Sequence, residues 1–393
     1  MKYFAKITSI LLLLILFLGL NSCGHNDHKP EVVNKAQRTV LVYMVASNSL
    51  GSNGFSDSDL KEMEEAIVNK GDNYRWLVYY ASPSKTDDAQ LFELTAKGRT
   101  TLNTYTQGES VTSARMNAVL DDMVKFAPAN SYGLVMWSHA SGWQQDGIEE
   151  DAGRADEPLI KPMSFGVDFD QRMNITTLRK VLEGRGIDYV YFDACYMATV
   201  EVAYELRNAV KYIVGSASEL PANGMPYNEN MMLLLKGSAN DLVQAATNTF
   251  NLYNSKPFAN ERTCTMAVIS TQGLNDLASA TREIYKLTPL IHPAGKVTNY
   301  RGNTRQGYSI DFAEYVRALA DDSNLTELRS DFDKAMDKTV LYCAATEKLW
   351  DAWTLYSTGG LATYVFNYAK DFNDRGYPEL SWAQDVVTYH LHD

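Results

Sequence analysis

The chain has 393 residues, of which 45% are hydrophobic and 21% are charged, a composition typical of a globular protein with one large domain or two. Its net charge of -12 and isoelectric point of about 5.1 give no indication of the basic face that a nucleic-acid-binding protein needs. We therefore expect no nucleic-acid partner.

The first 22 residues are typical of a signal peptide. Lys2 and Lys6 give a positive start, and the apolar run 7–20 is too short to span a membrane comfortably. We therefore predict that residues 1–22 are removed from an exported protein.

The sequence LNSC at 20–23 resembles the lipobox of bacterial lipoproteins. That reading makes Cys23 the lipidated first residue of the mature protein, anchored by acyl chains. The alternative is an ordinary secretory signal with an incidental cysteine. The polar segment 23–37 is typical of a tether. We predict a lipid-anchored protein of the bacterial cell envelope, on the outer membrane or at the surface.

Strand and helix patterns alternate along the next two hundred residues. Strands are predicted at 38–47, 74–82, 89–96 (an edge strand), 131–143 (running into a turn), 187–195 and 211–218, and helices at 59–70, 113–128, 174–186 and 197–210. This alternation predicts an α/β fold with a mostly parallel sheet and helices on both faces.

The pattern changes after residue 258 to longer helices and one late strand. We therefore predict a main domain at 38–258 and a smaller C-terminal α/β region at 259–393.

Three cysteines remain once Cys23 is set aside, namely Cys195, Cys264 and Cys343. Three thiols do not form a disulfide framework, and neither a CxxC pair nor a zinc-type spacing is present. One disulfide plus one thiol, or three thiols, both fit the sequence.

Two of the predicted strands lead into residues that can act together. His139 follows the strand at 131–137, and Cys195 follows the strand at 187–193. The carboxyl ends of parallel strands gather functional groups at one edge of a sheet, and a cysteine nucleophile needs a neighbouring base. The other histidines lie in the tether, in a loop or in the C-terminal tail: His25, His28, His292, His390 and His392.

The predicted helix at 197–210 places Cys195 near a helix N-terminus, where the dipole favours a thiolate. The alternative is a small buried residue between strand and helix, and Cys264 and Cys343 fit that reading well. Asp193 lies on the same side of the strand as Cys195. It is expected to form the floor of a pocket that selects Arg or Lys. The alternative is an aspartate that bonds a neighbouring loop backbone.

Four sequence blocks carry a resemblance to a known family: VLVYMVASNSL (40–50), GLVMWSHASGW (133–143), YFDACYMATVEVAYEL (191–206) and YIVGSASELPANGMPY (212–227). They resemble clostripain-type cysteine peptidases, which are related to caspases, legumains and gingipains. The resemblance covers about residues 38–230, and a weaker similarity continues beyond residue 230.

The resemblance implies a caspase–hemoglobinase fold and an endopeptidase that cleaves peptide or protein substrates after Arg or Lys. We expect a monomer that requires no cofactor. It assigns the catalytic roles to His139 and Cys195, and the acidic position of the substrate pocket to Asp193. The backbone N–H groups of Ala140 and Cys195 then serve the oxyanion. By analogy of position, Glu219 and Asn223 border the pocket.

Members of this family often mature by cutting themselves in the loop after the histidine, which is 144–166 here. We predict cleavage between Arg154 and Ala155, because Pro162 disfavours cleavage after Lys161. The alternative is an exposed loop that stays uncut. The acidic residues at 149–157 offer oxygen ligands for Ca²⁺ without the spacing of an EF-hand. A solvated charged loop is the alternative.

The chain departs from the family at Ala140, where glycine is usual. If this position needs a positive φ, alanine costs about 1 kcal/mol. The departure leaves open a second hypothesis, in which a weak or inactive surface lipoprotein binds peptides or glycans on a peptidase scaffold.

Overall fold

The computed structural model describes residues 35–69, 71–143, 165–289, 297–300, 308–365 and 376–387. The predicted signal peptide, Cys23 and most of the predicted tether lie outside these residues. At the end of the predicted tether, the backbone of Ala36 pairs with that of Ala129.

Most strands belong to one large sheet. In chain order the strands are β1 (Arg38–Val45), β2 (Tyr74–Ala81), β3 (Ala89–Thr95), β4 (Gly98–Tyr105), β5 (Tyr132–Trp137), β6 (Phe165–Asp168), β7 (Gln171–Met173), β8 (Ile187–Asp193), β9 (Tyr212–Gly215), β10 (Thr265–Ser270), β11 (Tyr308–Asp311), β12 (Val340–Ala345), β13 (Lys348–Leu349), β14 (Trp353–Thr354) and β15 (Ala362–Val365). The described part of the large sheet has nine strands in the order β12-β10-β9-β8-β5-β1-β2-β3-β4. The five central strands, β9 to β2, run parallel, and the two strands at each end are antiparallel.

Helices cover both faces of this sheet. The α-helices are α1 (Ser49–Ser52), α2 (Phe55–Ala66), α3 (Ser113–Phe126), α4 (Ile175–Leu182), α5 (Val200–Glu205), α6 (Tyr227–Lys236), α7 (Ala239–Asn254), α8 (Leu274–Tyr285), α9 (Phe312–Asp322) and α10 (Thr326–Thr339). Short 3₁₀-helices lie at Ile67–Asn69, Ala259–Glu261, Thr271–Gly273 and Tyr377–Glu379, and a π-helix lies at Ala383–Val387. Among the described helices, none combines the length and the apolar content needed to cross a membrane.

The central strands are buried on both faces, as their unbroken apolar runs predict. In β1, Leu41, Tyr43 and Val45 join the hydrophobic core under α3, α4 and α8 to α10. The alternate residues Val40 and Val42 join the core under α2, α6 and α7. The predicted α/β fold, with a mostly parallel sheet between two helical layers, is therefore confirmed.

Two features of the sheet differ from the sequence prediction. The strand predicted at 89–96 is present as β3 but is not an edge strand, because β4 pairs outside it. The pattern missed β4 because its sequence GRTTLNTY is polar and largely exposed. β10 and β12 extend the sheet at its other end, so strands from both sides of the predicted boundary at 258/259 share one sheet. The boundary itself stays a prediction.

One glycine lets strand β5 pack tightly beside β8. A Cβ atom at Gly133 would lie 2.4 Å from the ring of Tyr189, whose hydroxyl is held by a 2.6 Å hydrogen bond to Leu234 O. We expect Gly133→Ala to lower the free energy of unfolding by about 1–3 kcal/mol through overpacking, measured by urea denaturation. Gly71→Ala is the control, since its Cβ would meet open space. Equal stability of both variants would contradict the close contact.

Candidate active site

The candidate active site lies where β5 and β8 end side by side. Trp137 and Asp193 are partners in this parallel ladder. His139 and Cys195 each follow two residues later, so they leave the sheet at matched positions. Both side chains line one cavity of about 230 Å³. The two residues that the strand-end argument paired therefore line the same cavity.

The thiol of Cys195 is half-buried, and its Sγ lies 3.6 Å from the carbonyl oxygen of Leu220. Cys195, Cys264 and Cys343 form no disulfide, so among the described cysteines the reading with three thiols holds. The next residue, Tyr196, has a φ of 58°, which is uncommon for a bulky residue. Its N–H donates to Ser218 O at 2.9 Å. This turn holds the nucleophile candidate in the wall of the cavity.

The expected helix at 197–210 is wrong in its start and length. Only Val200–Glu205 is α-helical, with Thr199 as the N-cap. Backbone pairing delays the helix, because Ala198 N–H donates to Ser216 O. Cys195 is therefore five residues before the first helical residue and gains no dipole of its own helix.

His139 contacts the first residue of α1, Ser49. Its Nε2 lies 2.8 Å from Ser49 Oγ. Burial lowers the pKa of His139, and the positive charge of Arg172 lowers it further. The neutral imidazole is therefore favoured in the resting protein, which suits a proton acceptor.

Ala140 follows His139 without backbone strain. It is buried, it forms an antiparallel bridge with Phe165, and it is not among the described residues with a positive φ. The condition under which alanine would be costly at this position is therefore absent.

The carboxyl group of Asp193 is buried at the cavity wall. It accepts hydrogen bonds from Tyr227 Oη at 3.0 Å and from Met225 N–H at 3.1 Å. The sequence left two alternatives for Asp193, a pocket residue or an aspartate bonded to a loop backbone. In the structure it both lines the cavity and accepts a hydrogen bond from a loop backbone. Burial raises the pKa of Asp193, which the two hydrogen bonds oppose in part, and Glu62 raises it further.

A second buried acid, Asp59 on α2, stands behind this wall. Its carboxyl group accepts a 2.6 Å hydrogen bond from Nε1 of Trp137, which lines the cavity. Burial raises the pKa of Asp59, and the negative charge of Asp193 raises it further. The two acids therefore resist carrying two negative charges at once.

The loop after β9 forms another wall of the cavity. Glu219 and Gly224 line it, whereas the side chain of Asn223 is exposed and is not part of the lining. Gly224 has a φ of 61°, and a Cβ there would lie 2.7 Å from Asp193 Oδ2. Glycine thus lets the loop approach the acid closely. The role of Asn223 stays a prediction.

The remaining site predictions fall on the segment 144–164. Arg154, Ala155 and the acidic residues at 149–157 lie outside the described residues. Among the residues that are described, no group of three His, Cys, Asp or Glu side chains has a metal-binding arrangement. A role for Ca²⁺ stays a prediction about the loop.

Sequence reasoning missed three contributors to the site: Ser49, Leu50 and Asp59. Ser49 and Leu50 follow β1, so the rule about strand ends could have found them if it had been applied to hydroxyl and apolar residues. Asp59 lies in an amphipathic helix, and nothing in its local sequence separates it from a solvated acid.

A thiol and an imidazole at adjacent strand ends, above a sheet with this topology, define a cysteine peptidase of the caspase-like class. The sequence profile of the clostripain family matches residues 42–377. The chain therefore belongs to the clostripain family of cysteine peptidases, hydrolases that act on peptides or proteins.

Several solved structures have the same fold. An inactive zymogen C11 protease from Parabacteroides distasonis is 28% identical, with a TM-score of 0.73 over 90% of this chain and 98% of that one. A secreted C11 cysteine protease from Bacteroides thetaiotaomicron, in complex with an irreversible peptide inhibitor, is 25% identical, with a TM-score of 0.72 over 89% and 99%. Another structure of a secreted C11 cysteine protease from B. thetaiotaomicron, 22% identical, supports the fold with a TM-score of 0.75 over 90% of this chain and 99% of that one. No curated protein matches the sequence.

Proposed function

We propose that this protein is an endopeptidase that cleaves after arginine or lysine, with Cys195 as the nucleophile and His139 as its acid–base partner. One observation carries the proposal: His139, Cys195 and the buried acid Asp193 line the same cavity. The thiol of Cys195 and the imidazole of His139 can carry out the cleavage, and the carboxyl group of Asp193 can bind a basic side chain beside them.

The chemical steps follow from these groups. Cys195 Sγ attacks the scissile carbonyl carbon as its proton passes to His139, and the backbone N–H groups of Cys195 and Ala140 stabilise the oxyanion. His139 then protonates the leaving amine, and a thioester remains on Cys195. Water, deprotonated by His139, hydrolyses the thioester and releases the acid.

The specificity rests on the charge of Asp193. A guanidinium or ammonium group in the cavity would find a carboxylate that is shielded from water, where a charge pair is stronger than at the surface. Glu219, partly exposed at the cavity wall, adds a second negative group. Asn223, which is exposed, would contact the substrate only outside the cavity.

The loop after the histidine is proposed as the site of self-cleavage, between Arg154 and Ala155. Arg154 is the type of residue that the proposed pocket at Asp193 selects. One structural neighbour is described as an inactive zymogen, which supports a latent form in this family. We propose that this protein is also activated by the cut.

The wider setting follows the sequence. We propose a monomer held in the cell envelope by lipid on Cys23, facing peptide or protein substrates. The acidic residues at 149–157 are the proposed ligands for Ca²⁺.

The experiment that tests the specificity compares otherwise identical fluorogenic peptides with arginine, lysine or citrulline before the scissile bond. Citrulline keeps the shape of arginine without its charge. We expect kcat/KM to be highest for arginine or lysine, and the ratio of arginine to citrulline to fall as the pH falls. Because the pKa of Asp193 is raised, its charge is present above that pKa and is lost at mildly acidic pH, not only below about 4.

The titration of His139 and Cys195 affects the cleavage of both peptides equally. It therefore cancels in the ratio of the two kcat/KM values. Cleavage of the citrulline peptide as fast as the arginine peptide at every pH would contradict the proposed specificity. Cleavage of none of the peptides, before and after proteolytic nicking of the loop, would contradict the proposed activity.

A further inference from the structure

The first residue of α1, which follows β1, places a serine hydroxyl against the imidazole of the candidate catalytic pair. Ser49 Oγ lies 2.8 Å from His139 Nε2. We propose that Ser49 is the positioning residue of this site. Its hydroxyl accepts the Nε2–H of His139 and thereby fixes the tautomer and ring orientation in which Nδ1 faces Cys195. This inference rests on the proposed function, in which His139 partners Cys195.

The turn that carries Ser49 is held by the side chain of Asn48. Its Oδ1 accepts from Leu50 N–H at 2.9 Å, and its amide group donates to Val45 O and Val167 O, each at 2.8 Å. Asn48 therefore ties the end of β1 to β6. The position of Ser49 is set by this network and not by its own exposed side chain.

The same asparagine also holds the residue before the histidine. Its amide nitrogen lies 3.2 Å from Ser138 Oγ, which itself donates to Val45 O at 2.9 Å. Ser49 follows Asn48 and His139 follows Ser138, so each partner of the proposed contact is one residue from a hydrogen-bonded pair. This arrangement fixes the hydroxyl and the imidazole relative to each other.

Tight packing of the turn adds to this restraint. A Cβ atom at Gly51 would lie 1.9 Å from the carbonyl oxygen of Ala46. The backbone of α1 therefore rests directly on the backbone after β1, with no side chain between them. The turn has little room to move away from His139.

The proton transfers of the proposed mechanism show what the contact between Ser49 and His139 contributes. In the first step the S–H bond of Cys195 breaks and its proton binds Nδ1 of His139, so the ring carries a proton on each nitrogen. Ser49 Oγ then accepts a hydrogen bond from a charged donor, which is stronger than a neutral one. When the amine leaves, Nδ1 returns the proton to it, and Ser49 itself neither gains nor loses a proton.

The test is Ser49→Ala in the full-length protein. We expect kcat to fall about ten- to hundredfold with KM within about twofold, the loss expected for a hydrogen bond to a charged group. Without the acceptor the imidazolium is less stable and the pKa of His139 falls, so the low-pH limb of the kcat/KM profile, where the base becomes protonated, should move to lower pH by about one unit. Ser49→Thr, which keeps the hydroxyl, should retain most of the activity. Ser52→Ala, an exposed serine on the same turn, is the matched control.

A second readout does not need turnover. The rate at which iodoacetamide alkylates Cys195, followed by peptide mapping across pH, reports how easily its thiolate forms. We expect Ser49→Ala and His139→Ala both to move this profile to higher pH. Cys343, a partly exposed thiol whose pKa is raised by burial, is the internal reference and should not respond.

The outcomes separate the two proposals. An unchanged or higher kcat in Ser49→Ala, with an unchanged alkylation profile, would overturn the positioning role while leaving the peptidase intact. A wild type that cleaves nothing and whose Cys195 alkylation ignores His139→Ala would overturn the proposed function itself. Losses that are equal in Ser49→Ala, Ser49→Thr and Ser52→Ala would indicate a structural effect of the turn and would also overturn the inference.

Discussion

Cys195→Ala is expected to reduce cleavage of an arginine peptide to background, a loss of at least about a thousandfold. The substitution removes the sulfur that forms the thioester in the proposed mechanism, while the fold loses a sulfur whose 3.6 Å contact with Leu220 O is weak. The wild type should also yield a fragment that begins at Ala155, detected by intact mass and N-terminal sequencing. The Cys195→Ala protein should stay uncut.

His139→Ala should be nearly as damaging, and the double variant little worse than either, because the two residues act as one unit. Cys343→Ala is the control thiol and should keep full activity. Cleavage that persists in Cys195→Ala at the wild-type rate would remove Cys195 from the mechanism. A wild-type fragment with a different terminus would leave the nucleophile in place but would move the processing site.

Asp193→Asn is expected to lower kcat/KM for arginine peptides by about a hundred- to a thousandfold, and to affect citrulline peptides much less. The reason is that a cationic side chain in a buried pocket loses its compensating charge and keeps its desolvation cost. The measurement is the ratio of the two substrates within each variant. Because both substrates meet the same protein, a general loss of stability cancels.

Asp59→Asn is the matched control for that experiment. The pKa of Asp59 is raised by burial and by Asp193, so its carboxyl group is neutral at pH 7 and asparagine resembles that form. We expect the substrate ratio to change by less than about fivefold, since a neutral group replaces a neutral group. An Asp59→Asn protein that loses the preference for arginine, beside an Asp193→Asn protein that keeps it, would reverse the assignment of the two acids.

The central fold could be predicted because burial on both faces leaves a strong pattern. Runs such as RTVLVYMV and IDYVYFD lack the regular alternation of apolar and polar residues that marks a strand exposed on one face. The helices between them are amphipathic. β4 was missed for the opposite reason: most of its side chains are exposed, and its pairing with β3 is set by the tertiary structure. The early start assigned to α5 failed because the backbone of 196–198 pairs with the extension of β9, a competition that helix propensity does not contain.

The site followed the same division. His139 and Cys195 were found because strand ends and residue chemistry together identify them. Ser49 also follows a strand, but the rule was not applied to hydroxyl residues. Asp59 was missed because its significance comes from a contact with Trp137 across 78 residues of sequence. Local sequence carries no record of such distances.

The order of strands has a consequence for any cut in the segment 144–164. Every strand on one side of the β5–β8 ladder comes from residues 38–137, and every strand on the other side comes from residues 187–345. A processed protein would thus be a heterodimer joined along this ladder. Asp168 of the second polypeptide would accept hydrogen bonds from Ser47 and Ser110 of the first. His139 would belong to one polypeptide and Cys195 to the other. Neither polypeptide would be a peptidase alone, and activity would depend on their complementation.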